Sequence, residues 1–203
     1  VYKRQVLVNW WQRFAHSDLK VPLGKRLPEH RLTIPAGNSF LTGRFDLLLL
    51  GEQNGKPFAQ IFDWKTSRPR SVADLNSAWQ TRLYLALVAE SSRAFFAQDH
   101  ALTPDRVSIT YWYPHEADQP RIVSYSEAQH RQNWSAIRGL VAAIEGCAAE
   151  TVWPLTDTWT HCRSCMYQVY CGRQEAGSAE TQVAEEEAPY LAETAVLLEP
   201  QTP

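Results

Sequence analysis

Apolar residues recur with two different periods along this chain, and each period predicts a type of secondary structure. Near the start, apolar side chains follow the spacing of one helical face, which predicts an amphipathic helix ending at about Ala15. Three later segments have strand character and are separated by turn-forming residues; they are 29–35, 39–50 and 57–65. The last two strands predict an antiparallel hairpin.

After these strands the sequence predicts a helix, two more strands and a last helix. A buried helix is predicted over 72–90, where an apolar residue recurs at every fourth position. Alternating apolar positions predict two more strands, over 107–114 and 121–125. Ser126 and Gln129 then form a capping box for a helix that ends at about Cys147. This order of elements predicts an α/β or α+β fold, with a sheet flanked by helices.

Charge is distributed unevenly, although the formal net charge of the whole chain is only −2. Seven of the 22 acidic residues lie in 175–203, which contains no Lys or Arg, so 15 acidic residues remain against all 20 basic ones in 1–174. We therefore expect one mildly basic domain over 1–174 and a flexible acidic tail over 175–203. Because the chain starts without Met or a helix cap, we also expect the domain to be truncated at its N-terminus.

The sequence has no feature of a membrane or secreted protein. It has no signal peptide and no apolar stretch near the roughly 18 residues that a spanning helix needs. We therefore expect a cytoplasmic protein without a membrane partner.

Three charged residues on two predicted strands are the candidate chemistry. Asp46 interrupts a Leu-rich strand, where a buried carboxylate is costly unless it is compensated. Asp63 and Lys65 are two positions apart on the next strand, so their side chains project from the same face. If the hairpin brings Asp46 beside Asp63, the two carboxylates suit Mg²⁺, with Lys65 near the attacking water. An isolated D-x-K sequence is more often a surface ion pair. The motifs around it are therefore needed to decide between a surface ion pair and a metal site.

Those motifs resemble a known nuclease family. The resemblance is carried by Gly43 to Asp46, Ile61 to Ser67 and Gln80 to Tyr84. They are similar to the PD-(D/E)XK nuclease superfamily and most of all to its RecB-like branch, which includes recombination-helicase nuclease domains and CRISPR-associated exonucleases. The resemblance covers roughly 29–173. It implies a restriction-endonuclease-like fold with a mixed central sheet flanked by helices.

The resemblance also implies a role for each motif residue. Asp46 and Asp63 would bind Mg²⁺ or Mn²⁺, and Lys65 would serve the attacking water. Gln80 and Tyr84 are four positions apart on one helical face, and they would contact DNA or orient the lysine. The implied activity is phosphodiester hydrolysis of DNA, exonuclease-like, at single strands or ends, in repair or recombination.

Two parts of the family pattern are incomplete here. RecB-like members carry a metal-binding histidine near the start of the domain; His16 is the candidate, but its surroundings do not match that motif and a solvated helix-end histidine is the alternative. Near the other end, a cysteine cluster resembles part of a [4Fe-4S] motif and consists of Cys162, Cys165 and Cys171. Cys147 or His161 could be the fourth ligand. A cluster, Zn²⁺ and free thiols all stay open.

Several exposed or aromatic side chains are candidate substrate contacts. Arginines that flank the proposed centre could bind phosphates; they are Arg44, Arg68, Arg70 and Arg82. Trp64 and Trp79 could stack on bases, but their apolar context favours core packing. The resemblance implies a helicase or repair protein as a partner. Two other functions stay open, a catalytically impaired nuclease-fold module that binds DNA or a repair partner, and a nucleic-acid-binding protein that depends on a cluster or zinc.

Overall fold

The computed structural model describes residues 2–17, 19–97, 101–148 and 155–174. The chain divides into two compact units, Val1–Ala149 and Glu150–Pro203. The predicted acidic tail, 175–203, lies outside the described residues. Among the described helices, none is both long enough and apolar enough to cross a membrane.

A five-stranded sheet forms the centre of the first unit. Its strands are β1 (Lys25–Ala36), β2 (Ser39–Gln53), β3 (Lys56–Trp64), β4 (Val107–Trp112) and β5 (Arg121–Ser124), and they lie in sequence order across the sheet. All neighbours are antiparallel except β3 and β4, which are parallel. This mixed sheet confirms the predicted hairpin and the predicted pairing of the last two strands.

A tight turn makes the hairpin of β2 and β3 longer than the sequence predicts. Asn54 and Gly55 both have positive φ, 56° and 69°, which is the conformation that a two-residue hairpin turn requires. The strand β2 therefore continues to Gln53 before the chain reverses. At the other hairpin, Glu145 Oε1 accepts hydrogen bonds from the backbone N–H of Asn38 at 2.8 Å and the hydroxyl of Ser39 at 2.7 Å.

Parallel pairing of β3 and β4 requires a crossover connection, and helices supply it. The crossover contains α2 (Val72–Ser77), α3 (Trp79–Glu90) and α4 (Ser92–Phe95); α1 (Tyr2–His16) and α5 (Glu127–Ala148) complete the fold. The prediction of one continuous helix over 72–90 is wrong. At Ala78 the backbone is extended, with φ −66° and ψ 136°, and the helix restarts at Trp79. Gln80 consequently lies in the first turn of α3.

The ends of α1 and α5 agree closely with the sequence. Ser126 Oγ accepts the N–H of Gln129 at 3.3 Å and donates to its side-chain oxygen at 2.9 Å, which confirms the predicted cap. The core packs α3 against the sheet and includes Phe45, Ile61, Leu85, Tyr111 and Val123, and α5 packs against α3. The predicted class, a mixed sheet flanked by helices, is confirmed.

Candidate active site

The register of β2 and β3 places Asp46 and Asp63 side by side. Leu47 is paired with Phe62, so the next position on each strand is occupied by one of the two aspartates. The backbone N–H of Trp64 donates to Asp46 Oδ2 at 2.9 Å, which holds the first carboxylate against β3. The convergence that the sequence made conditional on the hairpin is therefore present.

Asp63 is buried, with only 5% of its surface exposed. Its Oδ1 lies 2.8 Å from Lys65 Nζ, so the two side chains share one face of β3 as the alternation predicts. Burial raises the pKa of the Asp63 carboxyl above its ordinary value; Lys65 opposes this rise, and the negative charge of Asp46 adds to it. Burial thus makes the negative charge of Asp63 unfavourable, and the Lys65 ammonium stabilises it.

Gln80 joins Asp63 and Lys65 from the helix above them. Lys65 Nζ donates to Gln80 Oε1 at 3.0 Å, and Gln80 Nε2 donates to Asp63 Oδ2 at 3.1 Å. One amide therefore satisfies both partners of the ion pair and limits the positions that the ammonium can adopt. The family motif predicted Gln80 beside the site, and the structure places it there.

Tyr84 lies on the same helical face but makes a different contact. Its hydroxyl donates to the backbone oxygen of Arg44 at 2.7 Å, and its ring packs edge-on against Phe45 with centroids 4.8 Å apart. Tyr84 therefore holds the segment of β2 that precedes Asp46. Gly43 leaves room for this packing, because a Cβ there would lie 2.7 Å from a methyl of Leu87 and 3.4 Å from the Tyr84 ring.

Sequence reasoning missed Tyr111, which lies beneath the lysine. Its ring centroid is 5.7 Å from Lys65 Nζ, and its hydroxyl shares a 2.8 Å hydrogen bond with Thr81. Burial raises the pKa of Tyr111 to about 12, so the ring stays neutral. Asp63 is paired with Tyr111 across the parallel strands. The alternation in β4 alone did not show this neighbour, since it depends on which strand lies beside β3.

The carboxylates fit a divalent cation. Carboxylate oxygens are the ligands Mg²⁺ prefers, and it retains several waters when bound to protein. Among the described residues, Asp63 Oδ1 has its ion pair with Lys65 and accepts no further hydrogen bond. Nowhere in the described residues do three His, Cys, Asp or Glu side chains lie close enough together to hold a metal ion. Asp46 and Asp63 would therefore be the protein ligands, with water and phosphate completing the shell.

His16 lies at the end of α1 in a separate cavity. Its Nδ1 is 2.7 Å from the backbone oxygen of Gln12. The cavity, of about 370 Å³, is lined also by Arg13, His115 and Glu116, and its lining includes neither of the two aspartates. The structure does not bring His16 together with the carboxylate pair.

The four candidate arginines differ in their surroundings. Arg44 pairs with Glu29 at 3.5 Å, where both side chains are largely exposed. Arg68 is exposed in the segment after β3, and the Arg70 guanidinium donates to the backbone oxygen of Asp74 at 3.1 Å. Arg82 donates to Asn133 at 2.8 Å.

The two tryptophans differ in their surroundings. Trp64 is partly buried and packs beside Phe62 and Phe14, as the apolar context predicts. The prediction that Trp79 packs in the core is wrong, because half of its surface is exposed. The break at Ala78 places Trp79 at the start of α3, where the Arg82 guanidinium covers its ring at 4.3 Å.

The three clustered cysteines lie in the second unit, and Cys147 lies in the first. Cys162 is buried in a short 3₁₀ helix and lies 3.7 Å from a guanidinium nitrogen of Arg173, whereas Cys165 is exposed. Cys171 and Cys147 are partly buried, and all four thiols are free of disulfides. His161, the alternative ligand, lies in the same 3₁₀ helix as Cys162.

The structure thus combines a mixed sheet, a D-x-K strand, an aspartate facing it and a glutamine from the crossover helix. The sequence matches the family model of the PD-(D/E)XK nuclease superfamily over residues 3–172. The chain belongs to this superfamily, and its fold is restriction-endonuclease-like. Membership indicates nuclease activity, a nucleic-acid substrate and, as is general in the superfamily, use of divalent metal.

The chain was also compared with curated proteins and with solved structures. No curated protein matches the sequence. One solved structure, described as "Crystal structure of SSO0001", is similar at 14% identity and a TM-score of 0.40, with coverage of 82% of this chain and 68% of that one.

Proposed function

We propose that this chain is a Mg²⁺- or Mn²⁺-dependent nuclease that hydrolyses DNA phosphodiester bonds at single strands or ends. The observation that carries the proposal is the Asp63–Lys65 ion pair, held by Gln80 and placed beside Asp46. A surface ion pair would not require a buried carboxylate or a second acid facing it. Superfamily membership supports the same activity.

Each side chain has a definable task in the hydrolysis. Asp46 and Asp63 would hold the metal ion, which when bound polarises the scissile phosphate and acidifies a water. Lys65 places its ammonium beside Asp63, where it orients the attacking water and stabilises the negative charge that develops on phosphorus oxygens. Gln80 keeps that ammonium in position, and Tyr84 fixes the backbone before Asp46.

The proposed setting is RecB-like, with an exonuclease-like action in DNA repair or recombination and a helicase or repair protein as partner. It is supported by the motifs Gly43 to Asp46 and Gln80 to Tyr84, which resemble that branch. We also propose a structural [4Fe-4S] or Zn²⁺ site at Cys162, Cys165 and Cys171. Its support is their spacing in the sequence alone, because the described structure does not bring the three thiols close enough together to hold a metal.

The substitution Asp46→Asn tests the proposed function. We expect it to lower cleavage of labelled single-stranded DNA in Mg²⁺ about 100-fold, because it removes one negative charge from the metal site. The loss is smaller than for Asp63, since Asp46 is only partly buried and one of its oxygens already accepts the Trp64 N–H. Circular and linear substrates in parallel distinguish internal cutting from cutting at ends.

The matched control is Glu52→Gln, which removes a carboxylate from the exposed end of the same strand. Glu52→Gln should cleave like wild type, and chelation of divalent ions should stop both proteins. Wild-type cleavage by Asp46→Asn, or cleavage that persists with a chelator, would exclude the proposed mechanism.

A second candidate function is DNA binding without cleavage. It is favoured by one observation, that only two carboxylates converge within the part of the chain that the structure describes. Such a protein would bind single-stranded DNA but leave it intact in both Mg²⁺ and Mn²⁺. The same assay therefore separates the two candidates.

The substitution Gln80→Leu should lower kcat by about 10- to 100-fold, the range for loss of a group that orients a catalytic residue. Its amide oxygen accepts a hydrogen bond from the Lys65 ammonium at 3.0 Å, so the ammonium gains freedom when the amide is lost. Single-turnover cleavage measures this effect. Tyr84→Phe is the control; it retains the ring and loses one contact to backbone, so we expect a change of only a few-fold. Equal rates for Gln80→Leu and wild type would show that Gln80 does not position the lysine.

A further inference from the structure

A cavity of about 330 Å³ lies between α1 and the ends of β3 and β4. We call it the aromatic groove; its lining is Leu7, Trp10, Trp11, Phe14, Trp64, Lys65, Thr66, Trp112 and Pro114. Five of these nine residues are aromatic, and the four from α1 follow one helical face. Its volume is at the lower end of the range for small-ligand pockets.

The inner wall of the groove is packed and its rim is exposed. Phe14 contacts Trp112 and Trp64 edge-on, with ring centroids 5.4 Å and 6.0 Å apart. On the rim, Trp11 is 68% exposed and Leu7 is 61% exposed. The packed wall and open rim form an apolar surface, and clustered exposure of this kind indicates a binding surface.

The groove lies at the end of β3 that also carries the candidate active site. Lys65 is part of its lining, and the ammonium of the same lysine lies 2.8 Å from Asp63. Trp64, which supplies part of the aromatic wall, projects to the opposite face of the strand from Asp63 and Lys65. A strand whose phosphate lies at Asp63 and Lys65 therefore reaches the groove by passing round the end of β3.

We propose that the aromatic groove binds an unpaired base of the nucleic-acid strand that is cut, an inference that rests on the proposed function. A base presents a flat π face to aromatic side chains, and every base can do so, which suits recognition without sequence preference. A base inside a duplex is already stacked and paired, so only an unpaired base can enter. The groove thereby selects single strands or frayed ends.

The test compares binding of two probes to the full chain with a chelator present, so that no cleavage occurs. One probe is a short single-stranded DNA, and the other has the same backbone without bases. Fluorescence anisotropy gives Kd for wild type, Trp11→Ala and Trp11→Phe. Phe40→Ala is the matched control, because Phe40 is 72% exposed at the start of β2 and does not line the groove.

We expect Trp11→Ala to weaken binding of the base-bearing probe by about 5- to 150-fold, the fold-change of losing one base stack. Binding of the base-free probe should not change, Trp11→Phe should retain part of the preference, and Phe40→Ala should match wild type. Because Trp11 is largely exposed, the melting temperature of Trp11→Ala should stay close to that of the wild type.

Three results would overturn the inference. They are equal binding of both probes by wild type, an unchanged Kd for Trp11→Ala, and an equal loss for both probes. In each case the groove has another occupant, such as an apolar helix of a partner or a second copy of the chain. Cleavage of DNA by the wild type in Mg²⁺, measured in parallel, separates the two proposals. If the wild type cleaves DNA but Trp11→Ala does not change binding, only the base-binding role of the groove is excluded. If Trp11→Ala weakens binding but the wild type does not cleave DNA, only the nuclease activity is excluded.

Discussion

Asp63→Asn should lower DNA cleavage by about 10³-fold or more, which corresponds to roughly 4 kcal/mol of transition-state stabilisation. Asp63 is the most buried charged group of the site and lies against both Lys65 and Asp46, so its charge is poorly screened. Asn preserves the shape and can still accept from Gln80, but it removes the charge that would hold a cation. Single-turnover cleavage in saturating Mg²⁺ measures the loss.

The same substitution should not lower the stability of the metal-free protein at neutral pH. Because burial raises the pKa of Asp63, the folded state favours the protonated carboxyl, and the stability it contributes is lost as pH rises above the ordinary Asp range. A neutral Asn removes that cost, while Lys65 is still bound by Gln80. Thermal melting with a chelator checks this, with Glu52→Gln as control. A marked fall in melting temperature would mean that the Asp63–Lys65 pair is mainly structural.

Lys65→Met should lower the rate of the chemical step by about 10³-fold while DNA binding changes only a few-fold. Methionine retains most of the aliphatic chain over Tyr111 but loses the ammonium beside Asp63. Single-turnover rates and anisotropy, measured on one preparation, separate chemistry from binding. Arg at this position should not restore activity, because its planar guanidinium does not match the single point held by Gln80 and Asp63.

Lys56→Met is the matched control, since Lys56 is an exposed lysine at the other end of the same strand. It should cleave and bind like wild type. A similar, modest loss in both variants would indicate that these lysines contribute only general attraction for DNA, and the special role of Lys65 would be excluded.

Much of the local structure could be predicted because it depends on near neighbours in the chain. The Ser126 cap and the alternation of β3 each involve residues within a few positions of one another. The break at Ala78 could not be predicted, since alanine favours a helix and the apolar pattern passes through it. The exposure of Trp79 follows from that break, and it was missed for the same reason.

The sequence by itself determined that Asp63 and Lys65 share a face, because side chains alternate along any strand. It also determined that Gln80 and Tyr84 share a helical face, because four positions make about one turn. Only the tertiary structure decided that Asp46 faces Asp63 and that Tyr111 lies beneath Lys65. It also decided that Gln80 contacts the lysine while Tyr84 holds the backbone of Arg44. These contacts depend on strand register and on the packing of the crossover helix, which join residues far apart in the chain.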